Sequence, residues 1–143
     1  MATVPHSTYH RIGQGEVDFA NDTFKVALMT SSWSPPTDDE NDPYWTNTNE
    51  ITDSAGDYTA GGETLANQSW ASNDTANAAQ FTADPVTLTG STIADYRYAV
   101  IYDDTHANDL IISITDFGSA QSITATDLTL TMPTPIFEIG HSS

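Results

Sequence analysis

The side chains of this chain that could do chemistry are mostly carboxylates. Aspartates cluster near residue 40 and again after residue 102, and loop carboxylates can supply the roughly six to eight oxygens that Ca²⁺ prefers. The calcium-loop pattern D-x-D-x-D-G is missing, and a chain with 15 aspartates brings some together by chance. The candidate ion ligands are Asp38, Asp39, Asp42, Asp103 and Asp104. A solvated acidic face is the favoured interpretation, so we expect no bound metal and no cofactor.

Other catalytic side chains are sparse. The chain has no cysteine and four histidines. His6 and His10 are four residues apart and could share a helix face, but a metal site needs a third ligand that nothing nearby supplies. No G-x-S-x-G stretch frames a serine nucleophile. A hydrolytic β-sandwich enzyme would need two carboxylates converging about 5–10 Å apart, which a sequence alone does not reveal. The sequence therefore favours a protein that is not an enzyme.

The stretch GDYTAGGETL at residues 56–65 raises the question of a phosphate-binding loop. It lacks the lysine of a Walker A loop and the G-x-G-x-x-G spacing of a dinucleotide site, and no helix is predicted to follow it. Glycines also permit positive φ at tight turns. We therefore predict a structural turn formed by Gly56, Tyr58, Gly61 and Gly62, with the tyrosine packed beneath it.

Aromatic residues are the remaining candidates for binding. Trp33, Tyr44 and Trp45 lie in a long, proline-containing acidic loop at residues 31–57, and a loop of that length is usually functional or covers a sheet edge. Exposed aromatic side chains on loops can stack on sugars or anchor a protein interface. Three interpretations stay open for these residues: glycan binding, a protein interface, or a cover for the sheet edge.

The elements that must position these residues read as β-strands. Short segments with alternating polarity recur between turn signals, and the only helix-like stretch is a weak one around residues 7–20. The predicted strands are 23–30, 63–70, 79–83, 85–90, 96–104, 109–117, 127–133 and 135–140. Residues 96–117 read as a β-hairpin with a long tip. We predict a single all-β domain over residues 1–143, an antiparallel β-sandwich of jelly-roll-like type with a long acidic loop.

The charge balance limits the partners of this chain. Twenty acidic residues face one lysine and two arginines, for a net charge of −17. Nucleic-acid binding needs a basic stripe, which is missing. The apolar runs at 99–102 and 110–114 are strand-sized, far below the roughly 18 residues of a membrane helix, so we expect no membrane partner. An aspartate-rich surface suits a hypersaline setting, since molar salt shortens the Debye length to about 3 Å; an acidic extracellular or virion surface is the alternative.

An ordered set of motifs resembles a known family. The motifs are GEVDF (15–19), NDTFKVALMTSS (21–32), NEITDSAGDYTAGGETL (49–65), YRYAVIYDDT (96–105), LIISITDFG (110–118) and TDLTLTMPTPIFEIG (126–140). Their order over nearly the whole chain resembles a family of small structural proteins of tailed bacteriophages and related archaeal viruses. The chain departs from that family at Asp57, where a glycine is usual, and in carrying acids in place of most lysines.

The resemblance implies a virion component, displayed on the capsid as a decoration or turret protein. Its partners would be the major capsid protein or other virion proteins and further copies of itself, as a trimer or pentamer. The alternative within the same virion is a tail or neck component, or a host-receptor domain that binds glycans through Trp33 and Trp45. In either case the resemblance implies that the chain is located in the virion.

Overall fold

Two antiparallel sheets pack face to face in a computed structural model that describes residues 2–36 and 43–140. Its elements are β1 (Ala2–Thr3), α1 (His6–Gly13), β2 (Phe24–Met29), β3 (Glu63–Thr64), β4 (Ser69–Asn73), β5 (Ala78–Thr82), β6 (Val86–Asp103), β7 (Leu110–Leu130) and β8 (Phe137–Gly140). The larger sheet has the strand order β1-β7-β6-β2-β3, and the smaller has the order β4-β5-β8. This architecture confirms the predicted antiparallel β-sandwich.

The long β6–β7 hairpin is the main scaffold of the larger sheet. β6 spans 18 residues and β7 spans 21, so each merges two segments that the sequence predicts as separate strands. The turn-like residues between those segments form β-bulges, where Gly90 has a φ of 62° and Gly118 a φ of 90°. Because a bulge bends a strand without ending its pairing, the apparent breaks lie inside continuous strands.

Strand β2 shows how the core is divided between the two faces of the larger sheet. Phe24, Val26 and Leu28 point into the core between the sheets, whereas Ala27 and Met29 join a second apolar cluster on the opposite face. The alternation predicted from the sequence is therefore confirmed. Both faces of β2 are nevertheless covered, which explains why it is almost entirely buried.

The two sheets are joined by segments that the sequence does not delimit correctly. Residues 63–70, predicted as one strand, are divided between β3 in the larger sheet and β4 in the smaller. The chain changes sheets where Asn67 takes a left-handed φ of 52°, a conformation that asparagine tolerates better than most residues. The N-terminal helix is also shorter than the predicted stretch 7–20, and ends at Gly13.

Candidate functional site

The glycine-rich turn is held to strand β2 by a tyrosine and a glutamate. The Tyr58 hydroxyl accepts a hydrogen bond from the Leu28 backbone N–H at 3.0 Å and donates one to Glu50 Oε1 at 2.7 Å. The same Glu50 oxygen accepts the Gly61 N–H at 2.7 Å. Burial and the neighbouring Glu50 carboxylate raise the pKa of Tyr58 far above its usual range. The hydroxyl therefore stays protonated and acts as a fixed clamp.

The glycines of this turn lie where the chain passes close to itself. A Cβ on Gly62 would stand 2.5 Å from the Val26 carbonyl oxygen, at a φ of +95°. The backbone N–H groups of Gly56, Gly61 and Gly62 donate to Asp53, Glu50 and Thr59 respectively. Since the chain's own oxygens occupy all three donors, the turn does not present the free N–H groups that a phosphate loop requires.

Asp53 fixes the other side of the turn. Its Oδ1 accepts the N–H groups of Gly56 and Thr92, each at 2.9 Å. Desolvation alone would raise the pKa of this carboxyl, but the hydrogen bonds from the backbone N–H groups of Thr92 and Gly56 outweigh it and lower the pKa to about 2. Asp53 therefore ties the turn to strand β6 as an ionised, internally satisfied carboxylate.

The structure places Trp33 and Trp45 against the outer face of the larger sheet, whereas Tyr44 packs against the core between the sheets and bridges Leu110 in β7. Trp33 is only 9% exposed and meets the Tyr98 ring edge-on, with 5.2 Å between the ring centres. Trp45 stacks on Tyr102 with parallel planes and 4.5 Å between the ring centres. The Arg11 guanidinium lies over the Tyr44 ring, 5.0 Å from its centre. Trp33 and Trp45 thus cover the face of the sheet rather than its edge, whereas Tyr44 meets the edge at Leu110. Burial leaves Trp33 little surface for a ligand.

Trp45 keeps part of its surface at a shallow depression of about 500 Å³. Asn47, Glu50, Gly61 and Asp109 line the same depression. An aromatic ring with carboxylate and amide groups around it can stack on a sugar and hydrogen-bond its hydroxyls. This depression is the place among the described residues where the predicted glycan chemistry could occur.

The predicted acidic ion ligands fall into two groups. Asp38, Asp39 and Asp42 lie outside the described residues. Asp104 pairs with Lys25, with 3.2 Å between Oδ2 and Nζ, and Asp103 is fully buried at the end of β6. Among residues 2–36 and 43–140, no group of three or more histidine, aspartate or glutamate side chains is placed to hold a metal ion.

Among the carboxyl groups that the structure describes, Asp103 is fully buried and has a strongly raised pKa. Its Oδ1 accepts the Thr105 N–H at 2.9 Å and the His106 N–H at 3.3 Å, whereas its Oδ2 has no donor. Desolvation, followed by the facing Asp22 carboxylate, raises the pKa of Asp103 to about 7. An ionised carboxylate can only accept hydrogen bonds, so the buried Asp103 carboxyl keeps its proton to a higher pH than an exposed aspartate does.

A charged network joins α1 to the hairpin tip, and no local sequence pattern predicts it. The His106 Nε2 lies 2.9 Å from Glu16 Oε2, and Arg11 pairs with the same carboxylate at 3.3 Å. The hydrogen bonds from His106 and Arg11 lower the pKa of Glu16, and the one from His106 has the larger effect. Glu16 and His106 are 90 residues apart in sequence, so no local spacing announces the pair. His6 and His10 belong to α1, apart from this network.

A second concavity lies beneath the β6–β7 hairpin, on the side of the core. Its volume is about 410 Å³, and its walls include Tyr96, Phe117, Leu128 and Met132. Phe117 is 39% exposed and meets Tyr96 edge-on at 5.8 Å. The lining combines aliphatic and aromatic side chains with uncharged polar ones, among them Gln121 and Thr129. It brings no group of ionisable side chains together, so this concavity offers contact area rather than catalysis.

These features define an all-β sandwich whose most strongly hydrogen-bonded residues hold the scaffold together. No protein-family model, curated protein or solved structure matches this chain. In the part of the chain that the structure describes, no helix has the length and apolar character to cross a membrane. Functional assignment therefore depends on the motifs, the charge and the surfaces of the chain itself.

Proposed function

We propose that this chain is a structural protein of a virion, displayed on the capsid of a tailed virus with a halophilic host. In this role, copies of the chain associate with one another and dock on the major capsid protein or other virion proteins. The chain acts by binding and shielding, without an enzymatic reaction. The resemblance of its ordered motifs to small virion proteins of tailed viruses is the starting point of this proposal.

The observation that carries the proposal is that these motifs occupy one connected framework. The segment 21–32 contains β2, which pairs along its length with the segment 96–105 in β6, from Phe24 opposite Asp103 to Met29 opposite Tyr98. The turn in segment 49–65 closes onto β2 through Tyr58. Motifs that pair with one another in a single scaffold support a common architecture, as expected for proteins that coat particles.

The charge distribution supports the same role. With 15 aspartates and five glutamates against three basic residues, the chain repels itself in dilute buffer, and this repulsion is screened in molar salt. A coat component exposed to brine gains solubility from hydrated carboxylates without losing the ability to pack at high density. The proposal therefore places the acidic face outward and the docking surfaces elsewhere.

Labelling of purified virions tests the proposal. Immunogold labelling with antibodies against this chain should decorate the head densely, and quantitative mass spectrometry should find tens to hundreds of copies per particle. The control is a non-structural protein of the same virus, which should be absent from washed particles. Absence of this chain from intact particles would refute the proposal, whatever its behaviour in solution.

A receptor-binding role is the second candidate, and the depression beside Trp45 favours it. In that case the label should be sparse and confined to the tail. Asn47 is exposed on the wall of the depression, whereas the neighbouring Thr48 is exposed outside it. Asn47→Ala should then reduce adsorption to host cells at least tenfold, and Thr48→Ala should not. Equal adsorption of both variants would reject the receptor role of this depression.

A further inference from the structure

Strand β7 has an outer edge that the protein covers over only half of its length. Near the hairpin tip, Trp45 N–H donates to the Asp109 carbonyl and Ile111 N–H donates to the Pro43 carbonyl, each at 2.8 Å. The Thr8 hydroxyl reaches the Ile111 carbonyl at 2.6 Å. Strand β1 then pairs with residues 114 and 115. Three separate segments thus close this edge up to residue 115.

Beyond residue 116 the same edge is open. In the ranges 2–36 and 43–140, no segment other than β6 pairs with residues 117–129, and most of these residues are exposed. The opposite edge of this part of the hairpin is closed, because Ser54 N–H donates to the Thr92 carbonyl at 3.0 Å and Asp57 accepts the Thr89 N–H at 2.8 Å. Unpaired strand edges are templates for pairing with another chain.

Two bulges in β7 limit the open edge to a short stretch. β7 bulges at Gly118 and at Ala125, which has a φ of 48°. The residues between them are 119–124, with the sequence SAQSIT. A stretch of about six residues is an ordinary strand length, and the bulges at either side would end a ladder formed there. The open edge therefore has a defined extent.

The open edge itself carries almost no charge, and Asp95 on the paired strand β6 is hydrogen-bonded to Ser31. Residues 85–94 and 117–137 together contain one charged residue, Asp127, out of 23 in the chain. The Oδ1 atom of Asp127 accepts the Gly90 N–H at 2.8 Å inside the hairpin. Two molecules with a net charge of −17 can approach most closely where neither carries carboxylates. A second copy of this chain is therefore the partner that this distribution fits best.

We infer that residues 119–124 of β7 form the docking edge for the same residues of a second copy, paired antiparallel across a two-fold axis. The pairing would join the two larger sheets into one continuous sheet. The exposed Phe117, next to this stretch, adds apolar contact at its end. This inference rests on the proposed function for its biological setting, in which copies of the chain associate on a shell.

Charge placed on the edge tests the inference. Ser122 is exposed next to the centre of the stretch, so Ser122→Asp and Ser122→Lys should leave the fold intact while placing a charged side chain on the strand edge beside the two-fold axis, a feature that opposes edge pairing in natural sheets. Ser72 is exposed in β4, an edge strand of the smaller sheet, and Ser72→Asp is the matched control. In sedimentation equilibrium in 2 M KCl, about the salt of the proposed setting, the wild type and the control should dimerise. Both Ser122 variants should raise the dissociation constant at least tenfold.

The lysine variant separates an effect of the edge from an effect of net charge. Ser122→Lys makes the chain less acidic, so weakening by both variants identifies local blocking of the strand edge. A wild type that stays monomeric at high protein concentration, or a dimer that neither variant weakens, would overturn the inference. A monomeric chain whose Ser122 variants are lost from virions would overturn it in favour of a coat-protein partner, while leaving the proposed function in place.

Discussion

The tyrosine clamp beneath the glycine-rich turn allows a sharp test of the scaffold. Tyr58→Phe removes one hydroxyl and two hydrogen bonds, one from the Leu28 N–H and one to Glu50. Leu28 is fully buried, so its N–H is left without an acceptor. A neutral hydrogen bond contributes about 1 kcal/mol and one to a charged group about 1.5–3 kcal/mol. The substitution should therefore lower the free energy of unfolding by about 2–4 kcal/mol.

Urea unfolding at constant high salt measures this effect. The midpoint should fall while the slope with urea stays unchanged, because the area exposed on unfolding is the same. Tyr9→Phe is the matched control, since Tyr9 is 51% exposed and loses no buried hydrogen bond. If Tyr58→Phe differs from Tyr9→Phe by less than about 0.5 kcal/mol, a typical neutral surface effect, the reasoning about the clamp is wrong.

Three further predictions concern the backbone, a buried proton and the surface charge. Gly62→Ala should lower the free energy of unfolding in urea by more than about 2 kcal/mol, because it combines a left-handed φ with a clash against Val26. Gly13→Ala should have no such effect, because a Cβ at Gly13 meets open space. Burial gives Asp103 a folded-state pKa of about 7, so the native protein binds the extra proton and the unfolding free energy should fall as pH rises from about 4 to about 7. Asp103→Asn should remove that slope in thermal melts and Asp74→Asn should not. The melting temperature should also rise steeply between about 0.1 and 2 M KCl, because salt screens the repulsion among carboxylates.

Each of these predictions has an outcome that contradicts it. Equal stability of the Gly62 and Gly13 variants would mean that the turn moves away from β2 at little cost. A slope with pH that survives in Asp103→Asn would assign the proton to another group. A melting temperature independent of KCl would show that the acidic surface does not limit stability, which removes the physical argument for a hypersaline setting.

Local periodicity was sufficient to predict the fold class and which residues of each strand point to the core. The alternation in β2 separates Val26 and Leu28 from Ala27, and the alternation near the C-terminal end of β7 puts Leu128 and Leu130 on the core side. Both results follow from the two-residue repeat of a strand, which needs no knowledge of distant residues. Strand ends were less predictable, because Gly118 in a bulge looks in sequence like a glycine in a turn.

The surroundings of the candidate residues could not be predicted, because they are made by distant parts of the chain. Trp33 has no periodic neighbours in its loop, so nothing local indicates that it covers Tyr98. The carboxyl of Asp103 looks like any other in an acidic stretch until the fold buries it against Asp22. Pairings of this kind depend on tertiary packing, which a single sequence does not encode in any short window.

The acidic surface and the uncharged hairpin edge are best understood as two parts of one arrangement. An interface made of ion pairs weakens as salt rises, because screening removes the attraction between its charges. The edge at residues 119–124 offers backbone N–H and carbonyl groups and uncharged side chains, whose contacts persist in molar salt. Screening meanwhile removes the repulsion between two chains of net charge −17. High salt therefore leaves the proposed contacts of this edge intact and screens the charge repulsion that opposes them.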